Sequence, residues 1–424
     1  MSPVKGNKVL FAVLLLLAGV FSISCTEQEE PSFQCQDPLG CVDISPDEAI
    51  KIGVLQALSG KVAPLGEAQI KGLELALDKR DNQIFGHSIV LQIEDTGCTA
   101  EGGANGALKL IADPKTVAIF GSTCSGAAAT ASKAMSAAGL SMVSGNNSAP
   151  FLTSIAGQAA PNHQPGYFRT SSNEENAGKA AAGYVYGKLG LRRAATIHDS
   201  DIYTRGLVDS FTRAFRELGG EVVLESAVNK GDSDMLPVLT AVAGSGAQLL
   251  FFPLFQPEGN HIVLQARKME TFAEILLISD GALIEQSFIE AVGDDGKGML
   301  FVGPRRPEGE AVDRLAALYG KKYGEPPAVS YYLTGFDAAD ILLSGIEKAA
   351  IREDDGSLHI GRKGLRDVLY GTSDHDGVSG TLSCDRFGDC GVAAFNVLGL
   401  ADPSLGVKGL EANVIYSWNS GTLF

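Results

Sequence analysis

From Lys51 onward, short apolar runs alternate with longer segments in which apolar residues recur every three or four positions. The runs predict buried strands, and the longer segments predict amphipathic helices, such as the one that places Ile70, Leu73 and Leu77 on one face. In the first part of the chain the predicted strands are KIGVLQAL (51–58), SIVLQIED (88–95), TVAIFG (116–121) and LSMVS (140–144), with helices at 65–80, 102–113 and 125–138. Regular alternation of strand and helix predicts a parallel, doubly wound sheet.

A second series of the same kind follows. Its predicted strands are YFRT (167–170), RAATIHD (193–199), EVVLESAV (221–228), QLLFFPL (248–254) and EILLISD (274–280), with helices at about 173–187, 203–218, after 234 and at 258–269. Two consecutive α/β units predict two lobes with a cleft between them. Helices dominate from about Glu308 to Tyr370, and GVSGTLSCDRFGDCGVAAFNVL (377–398) predicts antiparallel strands joined by a turn at Asp385 to Asp389.

The N-terminus has the pattern of an export signal. Lys5 and Lys8 precede an apolar run over residues 9–21, which predicts a signal peptide over residues 1–24. The alternative, a membrane-anchor helix, needs roughly 20 apolar residues, more than this run supplies. Export places the protein in the periplasm or on the outer face of the cytoplasmic membrane.

Cys25 follows small residues, as in the lipobox of bacterial lipoproteins, and this resemblance implies a lipid anchor on Cys25. Ser22 stands where such a box usually has leucine, so ordinary signal-peptide cleavage stays open. Residues 25–49 are polar, acidic and proline-containing, which predicts a tether between lipid and folded body. Removal of residues 1–24 changes the net charge from −16 to −18. So acidic a surface repels phosphate backbones and argues against nucleic acid as a partner.

Six cysteines remain after Cys25, an even number that indicates disulfides in an exported chain. Proximity in sequence favours three of the possible pairs, namely Cys35 with Cys41, Cys98 with Cys124 and Cys384 with Cys390. The alternative is a metal site, but the sequence has neither Cys-x-x-Cys nor a Cys/His cluster with ligand spacing.

Ligands of open α/β sheets bind beyond the carboxyl ends of the strands. Four turns lie there: GSTCSG (121–126), SGNNSAP (144–150), HDSDIYTRG (198–206) and SDGA (279–282). A nucleophile elbow would need a serine where Thr123 stands, and a bridged Cys124 cannot act as a thiolate. The sequence also lacks both glycine-rich phosphate-binding motifs, so neither catalysis nor a bound cofactor is expected.

Binding of a carboxylate fits these turns better. Ser125 opens a helix whose free N–H groups attract an anion, and Ser148 offers a second hydroxyl. Asp280 directly follows an apolar strand, where an unpaired carboxylate would be costly and a ligand ammonium would match it. Tyr203 can lie across the ligand. Each residue also has a structural alternative, namely helix capping for Ser125 and Asp280 and packing for Tyr203.

The same turns carry a family resemblance over nearly all of residues 50–400. The chain resembles the substrate-binding proteins of bacterial ABC importers for branched-chain amino acids, the leucine/isoleucine/valine-binding type. The similar segments are IGVLQALSGKVAPLGEAQIKGLELAL (52–77), GSTCSG with the partner cysteine Cys98, VSGNNSAPFLT (143–153), IHDSDIYTRGLVDSF (197–211) and FFPLFQPEGNHIVLQARKM (251–269).

The resemblance implies a type I periplasmic-binding fold, in which two doubly wound, Rossmann-like lobes joined by a three-stranded hinge close on one small ligand. The implied lobes are 50–169 with 303–376 and 170–302 with 377–424, so that the chain crosses near Thr170, Val302 and Gly377. It further implies a monomer that delivers its ligand to membrane-embedded permease subunits.

The resemblance also assigns the site. Ser125, Ser148 and the Asn147 amide would hold an α-carboxylate, while the Asn146 carbonyl, Tyr203 and Asp280 would surround an α-ammonium. Leu65 and Phe255 occupy positions in the side-chain pocket. In leucine-binding members the position of Leu65 is aromatic and that of Phe255 is tyrosine, while Ser148 replaces a threonine. The resemblance therefore favours an amino acid more strongly than leucine, isoleucine or valine in particular.

Three other functions remain open from the sequence alone. The same fold serves as the ligand-sensing subunit of a signalling partner, and relatives of the fold bind amides, urea-like solutes and aromatic acids. An exported hydrolase built on Ser125 is the third alternative.

Overall fold

The computed structural model of this chain describes residues 33–419. The predicted signal peptide and Cys25 lie outside the described residues. Among those residues, every helix is too short or too polar to cross a membrane.

The first part of the chain alternates strand and helix as predicted. Its elements, numbered in chain order, are β1 (Cys41–Ile44), β2 (Ile50–Gln56), α1 (Ala63–Asp78), β3 (Gln83–Ile84), β4 (His87–Asp95), α2 (Ala100–Ala112), β5 (Thr116–Gly121), α3 (Ser125–Ala137), β6 (Met142–Ser144), β7 (Ser154–Ile155), β8 (Gln158–Ala159) and β9 (Tyr167–Arg169). Six of these strands form a sheet in the order β3-β4-β2-β5-β6-β9, parallel except for β3. Central strands such as β5 are buried on both faces, which explains their continuous apolar sequence.

The second series builds a second sheet. Its elements are α4 (Glu175–Gly183), β10 (Arg193–His198), α5 (Ile202–Glu217), β11 (Glu221–Ala227), α6 (Leu236–Gly244), β12 (Leu249–Phe251), α7 (Glu258–Ala266), β13 (Leu276–Asp280), α8 (Gln286–Val292) and β14 (Leu300–Pro304). The sheet has the order β11-β10-β12-β13-β14, all parallel, and two later strands extend it. The two sheets and their flanking helices define a first and a second lobe.

The chain then returns to the first lobe and finally to the second. The remaining elements are α9 (Glu310–Tyr323), α10 (Tyr331–Ala349), β15 (Ala350–Arg352), β16 (Leu358–Gly361), α11 (Arg362–Tyr370), β17 (His375–Gly377), β18 (Gly380–Leu382), β19 (Ala394–Gly399), α12 (Gly406–Ala412) and β20 (Val414–Asn419). Helix α10 packs along α1 so closely that a Cβ atom on Gly72 would lie 2.4 Å from the carbonyl oxygen of Tyr332. Strand β19 extends the second sheet antiparallel to β14, and β20 pairs antiparallel with β19 at the edge.

The tether predicted over residues 25–49 is wrong at its C-terminal end. Strand β1 pairs antiparallel with β16, which also pairs with β15, and the alternation in CVDI buries Val42 and Ile44 in the first core. The average composition of residues 25–49 is polar, which concealed the apolar residue at every second position of β1. Because side chains of a strand alternate between its two faces, only Val42 and Ile44 face the core.

The predicted antiparallel strands at 377–398 pair differently from the prediction. Strand β17 pairs with β18, whereas β19 joins the second sheet, so the two arms around the turn do not form one hairpin. The turn itself is present, with the Asp385 N–H donating to the Asp389 carbonyl oxygen at 2.9 Å.

The division into lobes at Thr170, Val302 and Gly377 stays a prediction. Its last boundary disagrees with the packing of the residues that follow Gly377. Leu382 and Cys390 are buried in the core beneath the first sheet, although the prediction assigned residues 377–424 to the second lobe. Sheet membership instead places the last crossing between Cys390 and the start of β19 at Ala394.

All three predicted disulfides are formed. The Cα atoms are 5.9 Å apart for Cys35 and Cys41, 5.3 Å for Cys98 and Cys124, and 3.8 Å for Cys384 and Cys390. Cys124 is therefore unavailable as a thiolate.

Candidate ligand-binding site

A cavity lies where the two lobes face each other. The first lobe and α10 supply one wall and the second lobe supplies the other, so any molecule inside it contacts both lobes. The residues that line the cavity are Leu65, Thr123, Ser125, Asn146, Ser148 and Tyr331 on one side and Tyr203, Phe255 and Ala282 on the other.

The turn between β5 and α3 is fixed from two directions. The Thr123 hydroxyl donates to Gln56 Oε1 at 2.6 Å and accepts from the Ala57 N–H at 2.9 Å. The disulfide to Cys98 holds Cys124, which is the N-cap of α3 and provides no side-chain cap. The first N–H groups of α3 are thus left without a capping side chain, while Ser125 at the first helical position faces the cavity.

The turn after β6 stands beside it. Ser144 Oγ accepts the N–H groups of Asn146 and Asn147 at 3.1 and 3.0 Å, which folds the backbone back toward β5. Ser125 Oγ accepts from the Ala149 N–H at 3.3 Å. This arrangement brings Ser125, Asn146 and Ser148 to the cavity, as the sequence predicted.

Asn147 is the predicted site residue that the structure does not bring to the cavity. Its N–H already donates to Ser144, and its side-chain oxygen accepts from the Ser122 N–H at 3.1 Å and the Tyr167 hydroxyl at 3.2 Å. Asn147 therefore supports the turn from inside the first lobe, where its N–H and its side-chain oxygen have partners.

The second lobe presents aromatic rings and a carboxyl group. Asp201 caps α5 by accepting the Tyr203 N–H at 2.9 Å, which sets Tyr203 at the start of the helix. The ring of Tyr203 lies 5.2 Å from that of Phe255, centroid to centroid, and its hydroxyl donates to Asp280 Oδ2. The predicted pair of Tyr203 and Asp280 is thus brought together, with Tyr203 lining the cavity and Asp280 behind it.

Asp280 is fully buried at the carboxyl end of β13. Burial raises its pKa to about 7, while hydrogen bonds from the Tyr203 hydroxyl and the Ala282 N–H partly oppose that rise. The bond from Ala282, at 3.4 Å, makes Asp280 the N-cap of a short 3₁₀ turn. Asp280 therefore has the capping role that the sequence left open, and burial disfavours its ionised form in the ligand-free protein.

The two lobes approach closely around the start of α3. A Cβ atom on Gly126 would lie 2.7 Å from Asp201 Oδ2, which is held by Lys230 at 2.8 Å. The Tyr331 hydroxyl donates to the Gly281 carbonyl oxygen at 3.3 Å across the same cleft. The cleft is closed in this structure.

Tyr331 and Glu174 were missed from the sequence, as were Thr123 and Ala282 within turns that the sequence did single out. Tyr331 lines the cavity from the first turn of α10, and nothing in the local pattern separates it from the neighbouring aromatic residue Tyr332, which is buried in the core. Glu174 stands immediately before α4, with its carboxyl group beside Ser148 and Tyr203. The only available signal was an acidic pair, Glu174 and Glu175, which reads as an ordinary charged first turn of a helix.

Comparison with known proteins agrees with this geometry. Residues 49–389 match a family described as periplasmic binding protein. A Leu/Ile/Val-binding protein homolog of Brucella melitensis is 26% identical over 366 residues, covering 85% of this chain and 94% of the relative. The Leu/Ile/Val-binding protein BraC3 of Rhizobium johnstonii is 27% identical over 307 residues, covering 72% and 81%. A solved leucine-binding protein, LivK of Thermotoga maritima, has a TM-score of 0.75 at 23% identity and covers 88% of this chain and 100% of its own.

Fold and site together define a two-lobed solute-binding protein with an interlobe cavity. The chain belongs to the periplasmic binding protein family and has the type I fold. The predicted resemblance to substrate-binding proteins of importers for branched-chain amino acids is confirmed by these relatives. Because this family binds solutes for transporters, the protein is not an enzyme, and membership implies export to the periplasm.

Proposed function

We propose that this protein captures an α-amino acid with a compact, uncharged side chain and delivers it to the permease subunits of an ABC importer. One observation supports this most directly: the two lobes bring groups that complement the two charges of a zwitterion to a single cavity. Ser125 in the first turn of α3 lines the cavity from the first lobe, and Tyr203, which lines it from the second lobe, donates to the buried carboxyl group of Asp280.

The carboxylate of the ligand would bind at the first lobe. The uncapped N–H groups of α3 and the positive end of its dipole favour an anion, and the hydroxyls of Ser125 and Ser148 add donors. Lysine, arginine and histidine are absent from the residues that line the cavity, so neutral donors would hold the carboxylate.

The ammonium of the ligand would bind at the second lobe. The Asn146 carbonyl group, the Tyr203 hydroxyl and Asp280 are the acceptors in our proposal. Binding an ammonium would lower the pKa of Asp280 from about 7, because an adjacent positive charge favours the ionised carboxylate.

The side chain of the ligand would contact Leu65, Phe255, Tyr331 and Ala282, which line the cavity without formal charge. An aliphatic side chain of the leucine, isoleucine or valine type suits such a pocket, and it is also the ligand named for the relatives.

Capture would proceed by rotation of the lobes about their three crossings, with the ligand stabilising the closed form. We propose that the permease recognises that closed form, and that the protein acts as a monomer. A lipid on Cys25 would hold it at the membrane surface, with the residues before β1 as a short tether.

A ligand screen tests this proposal. Purified residues 26–424 are heated with each member of a panel of L-amino acids, aliphatic amides, urea and aromatic acids, and the melting temperature is recorded. A ligand at 100 times its dissociation constant stabilises the folded state by about 2.7 kcal/mol, which is a readily measured shift. We expect one or more aliphatic L-amino acids to give the largest shift. A shift with benzoate alone, or with none of the amino acids, would refute the proposal.

A further inference from the structure

Lys230 stands beside the cavity, in the turn between β11 and α6. Its ammonium donates to Asp201 Oδ2 at 2.8 Å and lies 5.9 Å from the centroid of the Phe255 ring, which lines the cavity. The side chain of Lys230 is 41% exposed, whereas that of Asp201 is 6% exposed. The pair therefore joins a buried carboxylate to a cation that still reaches solvent.

Asp201 turns its two carboxyl oxygens to different lobes. Oδ1 accepts the Tyr203 N–H at 2.9 Å and caps α5 within the second lobe. Oδ2, the oxygen that Lys230 holds, lies 2.7 Å from the place of a Cβ atom on Gly126, in the first turn of α3. Gly126 directly follows Ser125, which lines the cavity. Closure of the cleft thus brings the Asp201 carboxylate to the helix N-terminus that receives the carboxylate of the ligand in the proposed function.

Two more carboxyl groups stand close to this pair. Asp199 is buried and accepts the Asp201 N–H at 3.0 Å through Oδ1, while its Oδ2 has no hydrogen-bond partner among the described residues. Glu258 is buried as well and accepts a backbone N–H at 2.5 Å. Partial burial disfavours the charge of Lys230, yet the carboxylates of Asp201, Asp199 and Glu258 raise its pKa, so the ammonium stays charged. Lys230 is thus the cation that offsets this acidic group.

Without Lys230, closure would place an unneutralised carboxylate beside a bound anion. A buried ion pair that loses one partner leaves an uncompensated charge behind. The dipole of α3 favours one anion at its N-terminus, but this effect is smaller than the repulsion between two adjacent unit charges shielded from water. The loss of Lys230 should therefore oppose binding of a carboxylate in the closed cleft.

We propose that Lys230 is a positioning residue for ligand capture, which neutralises Asp201 so that the second lobe can close over a carboxylate bound at α3. The inference rests on the carboxylate subsite of the proposed function. It deepens that function by naming a residue outside the cavity lining that makes the closed cleft accept an anionic group. The competing role is purely structural, in which Lys230 only fixes the turn between β11 and α6.

Isothermal titration calorimetry at pH 7.0 with four proteins separates these roles. They are wild type, Lys230→Met, the double variant with Lys230→Met and Asp201→Asn, and the control Lys268→Met, which removes the same charge from an exposed position after α7. Asparagine caps a helix about as well as aspartate, so Asp201→Asn preserves the start of α5 and removes only the charge.

The probes are matched pairs that differ in the charge of the carboxyl group. They are L-leucine with L-leucinamide, L-valine with L-valinamide, L-alanine with L-alaninamide, and benzoate with benzamide. A structural role of Lys230 affects both members of a pair alike, whereas neutralisation of Asp201 matters for the anionic member.

We expect Lys230→Met to bind at least one amino acid at least tenfold more weakly than wild type, and any amide that wild type binds within about threefold. The double variant should recover the affinity for that amino acid to within about threefold of wild type, although it lacks both charges. This rescue is the decisive result, because it does not require that an amide binds. Lys268→Met should behave as wild type.

The outcomes separate the two proposals. If Lys230→Met binds the amino acid within twofold of wild type, or if the double variant stays as weak as Lys230→Met, only the role of Lys230 is overturned. If wild type binds benzoate but none of the amino acids, the proposed function fails, and the same comparison with benzoate and benzamide decides the role of Lys230. If wild type binds none of the carboxylates, both proposals fall. Should Lys230→Met not fold, Lys230→Gln replaces it with the same expected values.

Discussion

Because the carboxyl group of Asp280 is buried, we predict that removing its charge stabilises the folded protein and weakens ligand binding. In Asp280→Asn the amide keeps the shape of the side chain and can still accept the Tyr203 hydroxyl, but it carries no charge. Burial raises the pKa of Asp280 from its ordinary value of 3.8 to about 7. The ionised form is therefore disfavoured in the folded, ligand-free protein.

The sign follows from proton linkage. Between pH 4 and pH 7 the folded protein keeps a proton on Asp280 that the unfolded chain has lost, so the free energy of unfolding falls as pH rises through this range. At 1.36 kcal/mol per pKa unit the full cost above pH 7 is about 4 kcal/mol, of which about 2–3 kcal/mol develops between pH 5 and pH 8. The free energy of unfolding of Asp280→Asn, relative to that of wild type, should therefore increase by that amount between pH 5 and pH 8.

Urea unfolding of the ligand-free proteins at pH 5 and pH 8 measures this difference. Asp389→Asn is the matched control, because Asp389 is largely buried but its pKa is lowered through its pairing with Arg169, despite that burial. A lowered pKa contributes stability above 3.8 that is lost only at lower pH, so Asp389→Asn should be destabilised about equally at both values. An advantage of Asp280→Asn that stays the same at pH 5 and pH 8 would refute the reasoning.

Ligand affinity in the same variant should change in the opposite direction. Loss of a buried charge partner of the ammonium costs about 2–5 kcal/mol, or roughly 30-fold to 4,000-fold in the dissociation constant. Calorimetry at pH 8 measures it. Affinity within a factor of two of wild type would show that the ammonium binds elsewhere.

Three further predictions concern the geometry of the cleft. Replacing both Cys98 and Cys124 by serine should lower the free energy of unfolding by about 3 kcal/mol in urea, because a cross-link over 26 residues is lost; an unchanged midpoint would contradict this. Gly126→Ala places a methyl group against Asp201 and should weaken ligand binding at least tenfold with little change in the melting temperature; calorimetry showing equal affinity would disprove it. Tyr331→Phe removes one bond across the cleft and should weaken binding by about fivefold, and no loss would exclude that contact.

The lobes were predictable because their strands are buried on both faces. Strand sequences such as TVAIFG are largely apolar, and amphipathic helices lie between them in the chain. This regular alternation of strand and helix predicts the α/β class directly. The pairing of β1 with β16 was not predictable, since those strands are more than 300 residues apart and each has only two buried side chains. Local pattern carries little information about so distant a pairing.

Within the site, the sequence singled out residues at or just after the ends of strands. Ser125, Ser148 and Asp280 each stand just beyond a carboxyl end, where the fold itself directs attention. Glu174 and Tyr331 stand at the starts of helices that reach the cleft only after the chain has crossed between lobes. Asn147 does not line the cavity, because its N–H and side-chain oxygen bond within the first lobe, which the sequence does not show.

The final crossing has a practical consequence for following closure in solution. Cys390 is anchored in the first core and β19 begins at Ala394, so residues 391–393 alone connect the lobes there, a reach of about 10 Å. Gly391 also lies where a Cβ atom would be 2.2 Å from the Thr170 carbonyl oxygen. The lobes can therefore turn about this point but hardly separate from it. Because displacement in a rotation grows with distance from the axis, a pair of fluorophores will report ligand capture best at the rim of the cleft farthest from Gly391.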